Sequence, residues 1–333
     1  MTDHFSPLQQ ESQLRRRQML ITAFGETIAS ALADDQVLEV MVNPDGRLWL
    51  DRVDTGRTDT GTLISAQEAE RIIRLVATHV RRTVTDQEPI VSAELPETGE
   101  RFEGVIPPVS EAPCFSIRKP AQIIHRLDDY VTNGIMSKAR ATYLRKVISE
   151  RKNIVIVGGT SSGKTTLANA LLAEIAEQGD RVVILEDTRE LQCAAPDCVA
   201  LRTKPGVATL ADLVRSTMRL RPDRIVVGEV RGPEALDMLK AWNTGHPGGL
   251  TTVHANSASA ALTRIEHLIQ EATTNAPREL IAEAIDVIVF ISGRGKIRYL
   301  ENILRLDGLR DDGSYQLVST GATVLQCIAE DRR

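Results

Sequence analysis

The residues with the most definite chemistry lie in a glycine-rich segment, Gly158–Thr165, which reads GGTSSGKT and fits the pattern G-x-x-x-x-G-K-[ST]. Backbone N–H groups can surround a polyphosphate closely only where side chains are absent, a need that Gly158 and Gly163 meet. We expect the ammonium of Lys164 to bridge β- and γ-phosphates, and the hydroxyl of Thr165 to ligate Mg²⁺. The predicted nucleotide-binding residues are Gly158, Gly159, Thr160, Ser161, Ser162, Gly163, Lys164, Thr165 and Thr166.

Acidic residues follow two further predicted strands. Val182–Leu185 leads into Glu186 and Asp187, and Ile225–Gly228 leads into Glu229. In parallel α/β sheets, chemistry collects outside the carboxyl ends of the strands. We expect Glu186 to act as a general base or to position water, and Glu229 to hold Mg²⁺ through water or to orient the attacking water; Asp187 is a further metal candidate. For each acid alone, a solvated strand end is the alternative.

A loop rich in Gly and Pro carries two histidines, His246 and His254, and the second closes the predicted strand Leu250–Val253. No third Cys, His or acid lies at metal-ligand spacing, so a metal site is disfavoured. A neutral His254 that forms a hydrogen bond to a γ-phosphate is the preferred interpretation. From spacing alone, a structural histidine at a strand end fits equally well.

Strands and helices alternate through the second half of the chain. Besides the strands already named, Asn153–Val157 precedes the glycine-rich segment. The predicted helices are Ser137–Glu150, Thr165–Glu177, Leu210–Leu220 capped by Thr209, Pro233–Ala241 and Ser257–Glu271. This order predicts an α/β fold with a mostly parallel sheet and helices on both faces. Val287–Ile291 and Lys296–Arg305, on either side of Gly293-Arg294-Gly295, indicate a hairpin at the edge.

The first half mixes both element types and carries no motif of its own. Its predicted elements are a helix over Leu8–Leu32, strands Val37–Val42 and Arg47–Asp51 joined by Asn43-Pro44-Asp45-Gly46, a helix Ser65–Arg82 with Ser65 and Glu68 at capping-box spacing, and strands Arg101–Ile106 and Cys114–Ile117. At roughly 100–200 residues per domain, the length indicates two domains. We predict an N-terminal α+β domain over 1–118, a linker over 119–136 and a second domain over 137–333.

Composition and charge disfavour several classes of protein function. A net charge of −5, a pI near 5.8 and only 3% aromatic residues disfavour direct sequence-specific nucleic-acid binding. No apolar stretch approaches the roughly 18–20 residues of a membrane span, and Met1–Gln13 lacks the apolar core of a signal peptide, so we expect a cytoplasmic protein. The basic cluster Arg15–Arg17 is either a polar helix face or a contact with anionic lipid at a membrane surface. The four cysteines, which form no C-x-x-C pair, are expected to be reduced thiols.

Four segments between Gly158 and Ser257 form an ordered set: GGTSSGKTT, ILEDTRELQ, IVVGEVRGPEAL and TGHPGGLTTVHANS. In these segments the chain resembles the secretion ATPases of type II and type IV systems. Within that superfamily it is most similar to the conjugal-transfer ATPases of the TrbB kind. The N-terminal half agrees more loosely, through Arg101-Phe102-Glu103, Pro107-Pro108 and Ser116-Ile117-Arg118-Lys119.

The resemblance implies a RecA-like P-loop ATPase domain behind a separate N-terminal domain, with ATP and Mg²⁺ as ligands. It implies a homo-hexameric ring that docks on inner-membrane components of a type IV secretion or mating complex, peripheral to the membrane on its cytoplasmic side. It also matches Glu186 and Asp187 to an acidic box, Glu229 to the Walker B glutamate, and His246 and His254 to a histidine box.

Two arginines of the N-terminal half, Arg101 and Arg118, match family arginines that approach the γ-phosphate, a role that suits guanidinium groups; surface arginines are the alternative. The predicted catalytic residues are therefore Lys164, Glu186, Glu229, His254, Arg101 and Arg118. The leading hypothesis is an ATP-hydrolysing motor of a conjugative type IV secretion system, which powers pilus or channel assembly or substrate transfer. The alternatives are a motor of a type II secretion or type IV pilus system, a nucleotide-controlled scaffold with negligible turnover, and a RecA-like helicase, which the acidic charge disfavours.

Overall fold

The computed structural model describes residues 7–95, 98–120, 124–204, 206–293 and 297–320, with the side chains of the first helix from residue 18 onward. The chain divides into two units, Met1–Gln122 and Ile123–Arg333, a boundary that falls inside the predicted linker over 119–136. The side chains of Arg15–Arg17, as well as Cys327, lie outside the described part. Among the described helices, none combines the length and apolar character that crossing a bilayer requires.

An antiparallel sheet forms the centre of the first unit. Its elements are α1 (Pro7–Ala33), β1 (Val37–Val42), β2 (Arg47–Arg52), β3 (Gly56–Leu63), α2 (Ala66–His79), β4 (Ile90–Glu94), β5 (Arg101–Val105) and β6 (Cys114–Arg118). The strand order is β3-β2-β1-β6-β5-β4, with antiparallel neighbours throughout. Ile28 of α1 and Ile73 of α2 are fully buried together with Phe102 and Ile117 of the sheet. The predicted α+β character of this half is confirmed.

Local chemistry explains where these elements begin and break. The predicted capping box is present, because the Ser65 hydroxyl accepts the Glu68 N–H and the Glu68 carboxylate accepts the Ser65 N–H at 2.9 Å. Helix α1 is interrupted at Gly25, whose φ of 66° and ψ of 177° are not helical. In this unit the sequence predictions missed two strands, β3 and β4, because β3 is polar and half exposed and β4 is only partly buried.

A larger, mostly parallel sheet organises the second unit. Its elements are α3 (Leu127–Thr132), α4 (Lys138–Ser149), β7 (Ile154–Gly158), α5 (Lys164–Ala176), β8 (Val182–Glu186), β9 (Cys198–Arg202), α6 (Leu210–Thr217), β10 (Arg224–Val227), α7 (Glu234–Asn243), β11 (Leu250–His254), α8 (Ala258–Gln270), α9 (Arg278–Ala284), β12 (Val287–Ser292), β13 (Tyr299–Leu309) and β14 (Tyr315–Ser319). The order is β14-β13-β12-β7-β11-β10-β8-β9. Strands β12 to β9 in this order run parallel, β13 pairs antiparallel with β12, and β14 pairs antiparallel with β13.

Both faces of this sheet are buried, as its near-continuous apolar strands require. Ile154 and Ile156 of β7 pack with α3, α4 and α5, whereas Val155 and Val157 pack with α6, α7 and α8. At the amino edge, the Arg224 guanidinium is only 1% exposed and its Nε lies 2.6 Å from Asp180 Oδ2. The predicted α/β fold with helices on both faces is confirmed.

Some predicted boundaries differ from the structure. Helix α6 ends at Thr217, earlier than Leu220, and α3 forms inside the predicted linker, where the Asp129 carboxylate accepts the Arg126 N–H at 2.7 Å and so starts the helix. The predicted hairpin partners do pair antiparallel, but β12 also pairs with β7 and is therefore internal. Residues 294–296, which belong to the predicted turn, lie outside the described part.

Candidate nucleotide-binding site

The glycine-rich segment lies at the carboxyl edge of the parallel sheet. Strand β7 ends at Gly158, and α5 begins at Lys164 after Gly163, which has a φ of 97° that a residue with a side chain rarely adopts. Gly159, Thr160 and Ser161 are exposed along the loop. The predicted strand–loop–helix arrangement is therefore present, with the N-terminus of a 13-residue helix behind the loop.

Lys164 folds back over this loop. Its side chain is buried, and Nζ donates hydrogen bonds to the carbonyl oxygens of Gly158 at 3.0 Å and Gly159 at 2.9 Å. Nζ also lies 3.3 Å from Nδ1 of His254, because the register of the sheet sets His254 beside Gly158. The ammonium is thus held at the concave side of the loop, where it can meet a phosphate oxygen.

The hydroxyl of Thr165 donates to Oε2 of Glu190 at 3.1 Å. Asn169 holds the segment around Glu190 in place, because its amide donates to the Glu190 carbonyl at 3.2 Å and accepts the Gln192 N–H at 2.8 Å. Glu190 is a site residue that the sequence predictions did not single out. The sequence does contain one indication of this role, because Glu190 lies four residues after Glu186 in the same acidic segment.

Asp187 points elsewhere. Its carboxylate is exposed and accepts the hydroxyl of Thr203 at 2.9 Å, so the acid that contacts Thr165 is Glu190. Oxygen ligands of this kind suit Mg²⁺, which keeps several waters and takes few protein ligands. The described residues contain no group of three or more His, Cys, Asp or Glu that could hold a metal alone. Thr165 with Glu190 therefore fits a Mg²⁺ ion held mainly by nucleotide phosphates and water.

Glu186, the last residue of β8, is buried in the second unit. Its Oε1 accepts the N–H groups of Glu190 at 2.9 Å and Leu191 at 2.8 Å. Burial raises the pKa of Glu186 from 4.5 to about 7, against the opposing effect of these two hydrogen bonds. Gly228 permits this position, since a Cβ there would lie 3.0 Å from Glu186 Cγ. The structure thus supplies a fixed carboxyl group that can exchange a proton near neutral pH.

Glu229 joins a chain of charged groups. Its Oε1 lies 2.9 Å from Nε2 of His254, and its Oε2 lies 2.6 Å from Nη2 of Arg231. Nε2 of His254 therefore carries the proton that it donates to Glu229, and Nδ1 accepts from Lys164. Burial and then the Lys164 charge lower the pKa of His254, which favours this neutral form. The chain Lys164–His254–Glu229–Arg231 links the phosphate loop to the end of β10.

The two predicted histidines lie at opposite ends of β11. His246 precedes the strand, and its Nδ1 lies 3.3 Å from the Ala241 carbonyl oxygen at the end of α7. His254 closes the strand beside the phosphate loop. The structure brings only His254 to the site, because a strand of five residues spans about 17 Å.

The N-terminal arginines lie side by side in the first unit. Arg101 begins β5 and Arg118 ends β6, and the register of the sheet pairs the two residues directly. Residues paired in this way carry their side chains on the same face of the sheet. Their approach to a γ-phosphate stays a prediction.

Comparison with known proteins identifies relatives of the chain as a whole. The family model described as "Type II/IV secretion system protein" matches residues 25–292. The conjugal transfer protein TrbB of Rhizobium radiobacter is 49% identical over 307 residues, which cover 90% of this chain and 94% of that protein. The type IV secretion system protein VirB11 of Bartonella quintana is 30% identical over 79% of this chain and 86% of that protein.

Solved structures share the fold. The pilus retraction motor PilT with bound ADP has a TM-score of 0.57 and 17% identity, over 92% of this chain and 86% of that chain. The ATPase DotB of Legionella pneumophila has a TM-score of 0.55 and 17% identity, over 95% of this chain and 80% of that chain. With the family match over most of its length, the chain belongs to the type II/IV secretion system protein family.

Proposed function

We propose that this protein is an ATP-hydrolysing motor of a conjugative type IV secretion system. The observation that carries the proposal is the convergence of Lys164, Thr165, Glu186, Glu229 and His254 at one edge of the parallel sheet, around a phosphate-binding loop. The 49% identity to a protein named for conjugal transfer, over nearly its whole length, favours conjugation over pilus retraction or type II secretion.

The residues divide the chemistry among them. Lys164 exchanges its hydrogen bonds to Gly158 and Gly159 for oxygens of the β- and γ-phosphates. Thr165 would hold Mg²⁺, and the bound ion would neutralise phosphate charge. Oε1 of Glu186 is occupied by two N–H groups, whereas Oε2 has no hydrogen bond among the described residues and is free to accept a proton from water.

His254 and Glu229 can sense the terminal phosphate. When Lys164 turns to a phosphate, Nδ1 of His254 loses its donor, and the imidazole can rotate or change its hold on Glu229. The ion pair between Glu229 and Arg231, which lies in the segment before α7, then changes as well. We infer that this chain of contacts couples nucleotide state to movement of the protein.

The assembly is part of the same proposal. Family membership supports a homo-hexameric ring that docks on inner-membrane components from the cytoplasmic side. Family membership and the pairing of Arg101 with Arg118 support the use of these two arginines at the γ-phosphate. Sedimentation with and without ATP tests the ring. A protein that stays monomeric at micromolar concentration with ATP would contradict it.

The substitution Glu229→Gln separates a motor from a nucleotide-controlled scaffold. Gln keeps the shape of the side chain but removes the charge, so we expect ATP binding within about threefold of the unaltered protein and loss of phosphate release by at least about 100-fold, as for other electrostatic catalytic groups. Conjugal transfer should fall with phosphate release. The control Asp237→Asn, on the surface of α7 and paired with Arg215, should keep both activities. A Glu229→Gln protein that supports transfer without turnover would establish the scaffold instead.

A further inference from the structure

A guanidinium group lies against the phosphate loop from the side opposite the acidic residues. A Cβ at Gly163 would lie 2.6 Å from Nε and 2.7 Å from Cζ of Arg298, so the side chain of Arg298 occupies the space that this glycine leaves open. Arg298 comes just before β13. Arg298 itself lies outside the four sequence segments described above.

One donor of this guanidinium, Nε, has no hydrogen-bond partner in the described part of the chain. Nε of Arg298 is buried without a hydrogen bond there, as is the hydroxyl of Tyr130, a buried residue on which the Arg298 charge acts. A buried donor without a partner costs about 1–3 kcal/mol. Arg140, by contrast, is a structural arginine whose nitrogens donate to the carbonyl oxygens of Leu300 and Glu301 at 2.6 and 3.0 Å. Arg298 therefore has a buried donor that is available to an anionic ligand.

The strand order fixes which part of a nucleotide would reach Arg298. Strand β7, which ends in the phosphate loop, has β11 on one side and β12 on the other. His254 and Glu186 end β11 and β8, and Glu229 follows β10; all three lie on the first side. A terminal phosphate that faces these residues directs the rest of the nucleotide toward the β12–β13 side, where Arg298 lies against Gly163.

We propose that Arg298 binds the α-phosphate of the nucleotide. The inference rests on the proposed function, and adds a residue for the inner end of the polyphosphate where Lys164 serves the outer end. Guanidinium N–H groups donate to phosphate oxygens with charge-assisted hydrogen bonds, and the unpartnered Nε gains an acceptor on binding. Gly163 is then needed for two reasons: its backbone conformation and the room it leaves for this side chain.

The experiment is calorimetric titration of the full chain with ADP and Mg²⁺, and separately with pyrophosphate and Mg²⁺, which has no α-phosphate attached to a nucleoside. Arg298→Ala should weaken ADP binding at least tenfold, which corresponds to about 1.4 kcal/mol, and leave pyrophosphate binding within twofold. Arg298→Lys should recover part of the ADP affinity. Arg305→Ala, on strand β13, which follows Arg298, and paired with Asp307, is the matched control and should bind ADP normally.

Each possible result supports or overturns either the role of Arg298 or the proposed function. Equal ADP affinity in Arg298→Ala and the unaltered protein overturns the proposal, as does a loss that is equally large for pyrophosphate. A penalty that differs more than threefold between ADP and GDP would indicate a base contact and also overturn it. If Arg298→Ala does not fold, as judged by thermal denaturation without nucleotide, Arg298→Gln replaces it with the same expectations. Absence of ADP binding in the unaltered protein, or ADP binding that Lys164→Ala leaves intact, contradicts the proposed function instead.

Discussion

Glu186 should make the second unit less stable as the pH rises, and Glu186→Gln should remove that dependence. Burial raises the pKa of Glu186 from 4.5 to about 7 in the folded protein. Below pH 4.5 the Glu186 carboxyl group is protonated in both the folded and the unfolded chain, so the free energy of unfolding does not change with pH through this group. Above that pH the unfolded chain releases the proton first, and stability is lost as the pH rises through about 7. At about 1.4 kcal/mol for each pKa unit, the loss amounts to about 3 kcal/mol.

The assay is urea denaturation from pH 5 to 8. The chain has two tryptophans, and Trp242, buried in the second unit, reports on that unit alone in a Trp49→Phe background. Gln keeps an oxygen for the N–H groups of Glu190 and Leu191 but does not titrate, so the free energy of unfolding should fall more steeply with pH in the unaltered protein than in Glu186→Gln. Glu177→Gln, a surface carboxylate paired with Arg126, should follow the unaltered protein. Parallel pH profiles for Glu186→Gln and the unaltered protein would show that Glu186 does not cause this loss of stability.

Two further substitutions test the packing around the site. Asp180→Ala should lower the free energy of unfolding of the second unit by about 3–5 kcal/mol in urea denaturation, because it leaves the buried Arg224 guanidinium without its carboxylate; a loss below about 1 kcal/mol would contradict this. Gly163→Ala should lower that free energy by about 1–3 kcal/mol, because φ is 97° there. It should also abolish ADP binding in calorimetry, whereas normal binding would show that the loop tolerates a side chain.

The phosphate loop could be predicted because its chemistry is local. Gly158, Gly163 and Lys164 lie within one short segment, and the apolar strand before it and the helix after it specify the geometry that the segment needs. Glu186 and Glu229 could be predicted for a related reason, because carboxyl ends of parallel strands meet at one edge. The structure adds the burial that raises the pKa of Glu186, which the sequence pattern did not contain.

Other parts of the site depend on contacts between distant segments. Glu190 reaches Thr165 only because the segment after β8 folds back onto Oε1 of Glu186, whereas the neighbouring Asp187 turns to Thr203. Arg298 reaches the loop only because β12 lies beside β7. No local pattern of residues specifies either contact.

Among the elements, the strands that escaped prediction are those that lack a full apolar face. Strand β9 is partly exposed along its whole length at one edge of the second sheet, and β14 lies at the other edge with a similarly exposed pattern. Because edge strands bury less apolar surface, their sequences show less of the alternation on which prediction depends.

An experimental structure of the full chain with Mg²⁺ and a non-hydrolysable ATP analogue tests most directly whether this loop binds the nucleotide. We predict that the polyphosphate lies within hydrogen-bond distance of the backbone N–H groups of Gly159–Thr165, with Lys164 Nζ moved from the carbonyl oxygens of Gly158 and Gly159 to the β- and γ-phosphates. Glu186 and Glu229 should face the γ-phosphate. An analogue bound elsewhere, or a loop in which Lys164 still donates to those carbonyl oxygens while the analogue is present, would contradict the account.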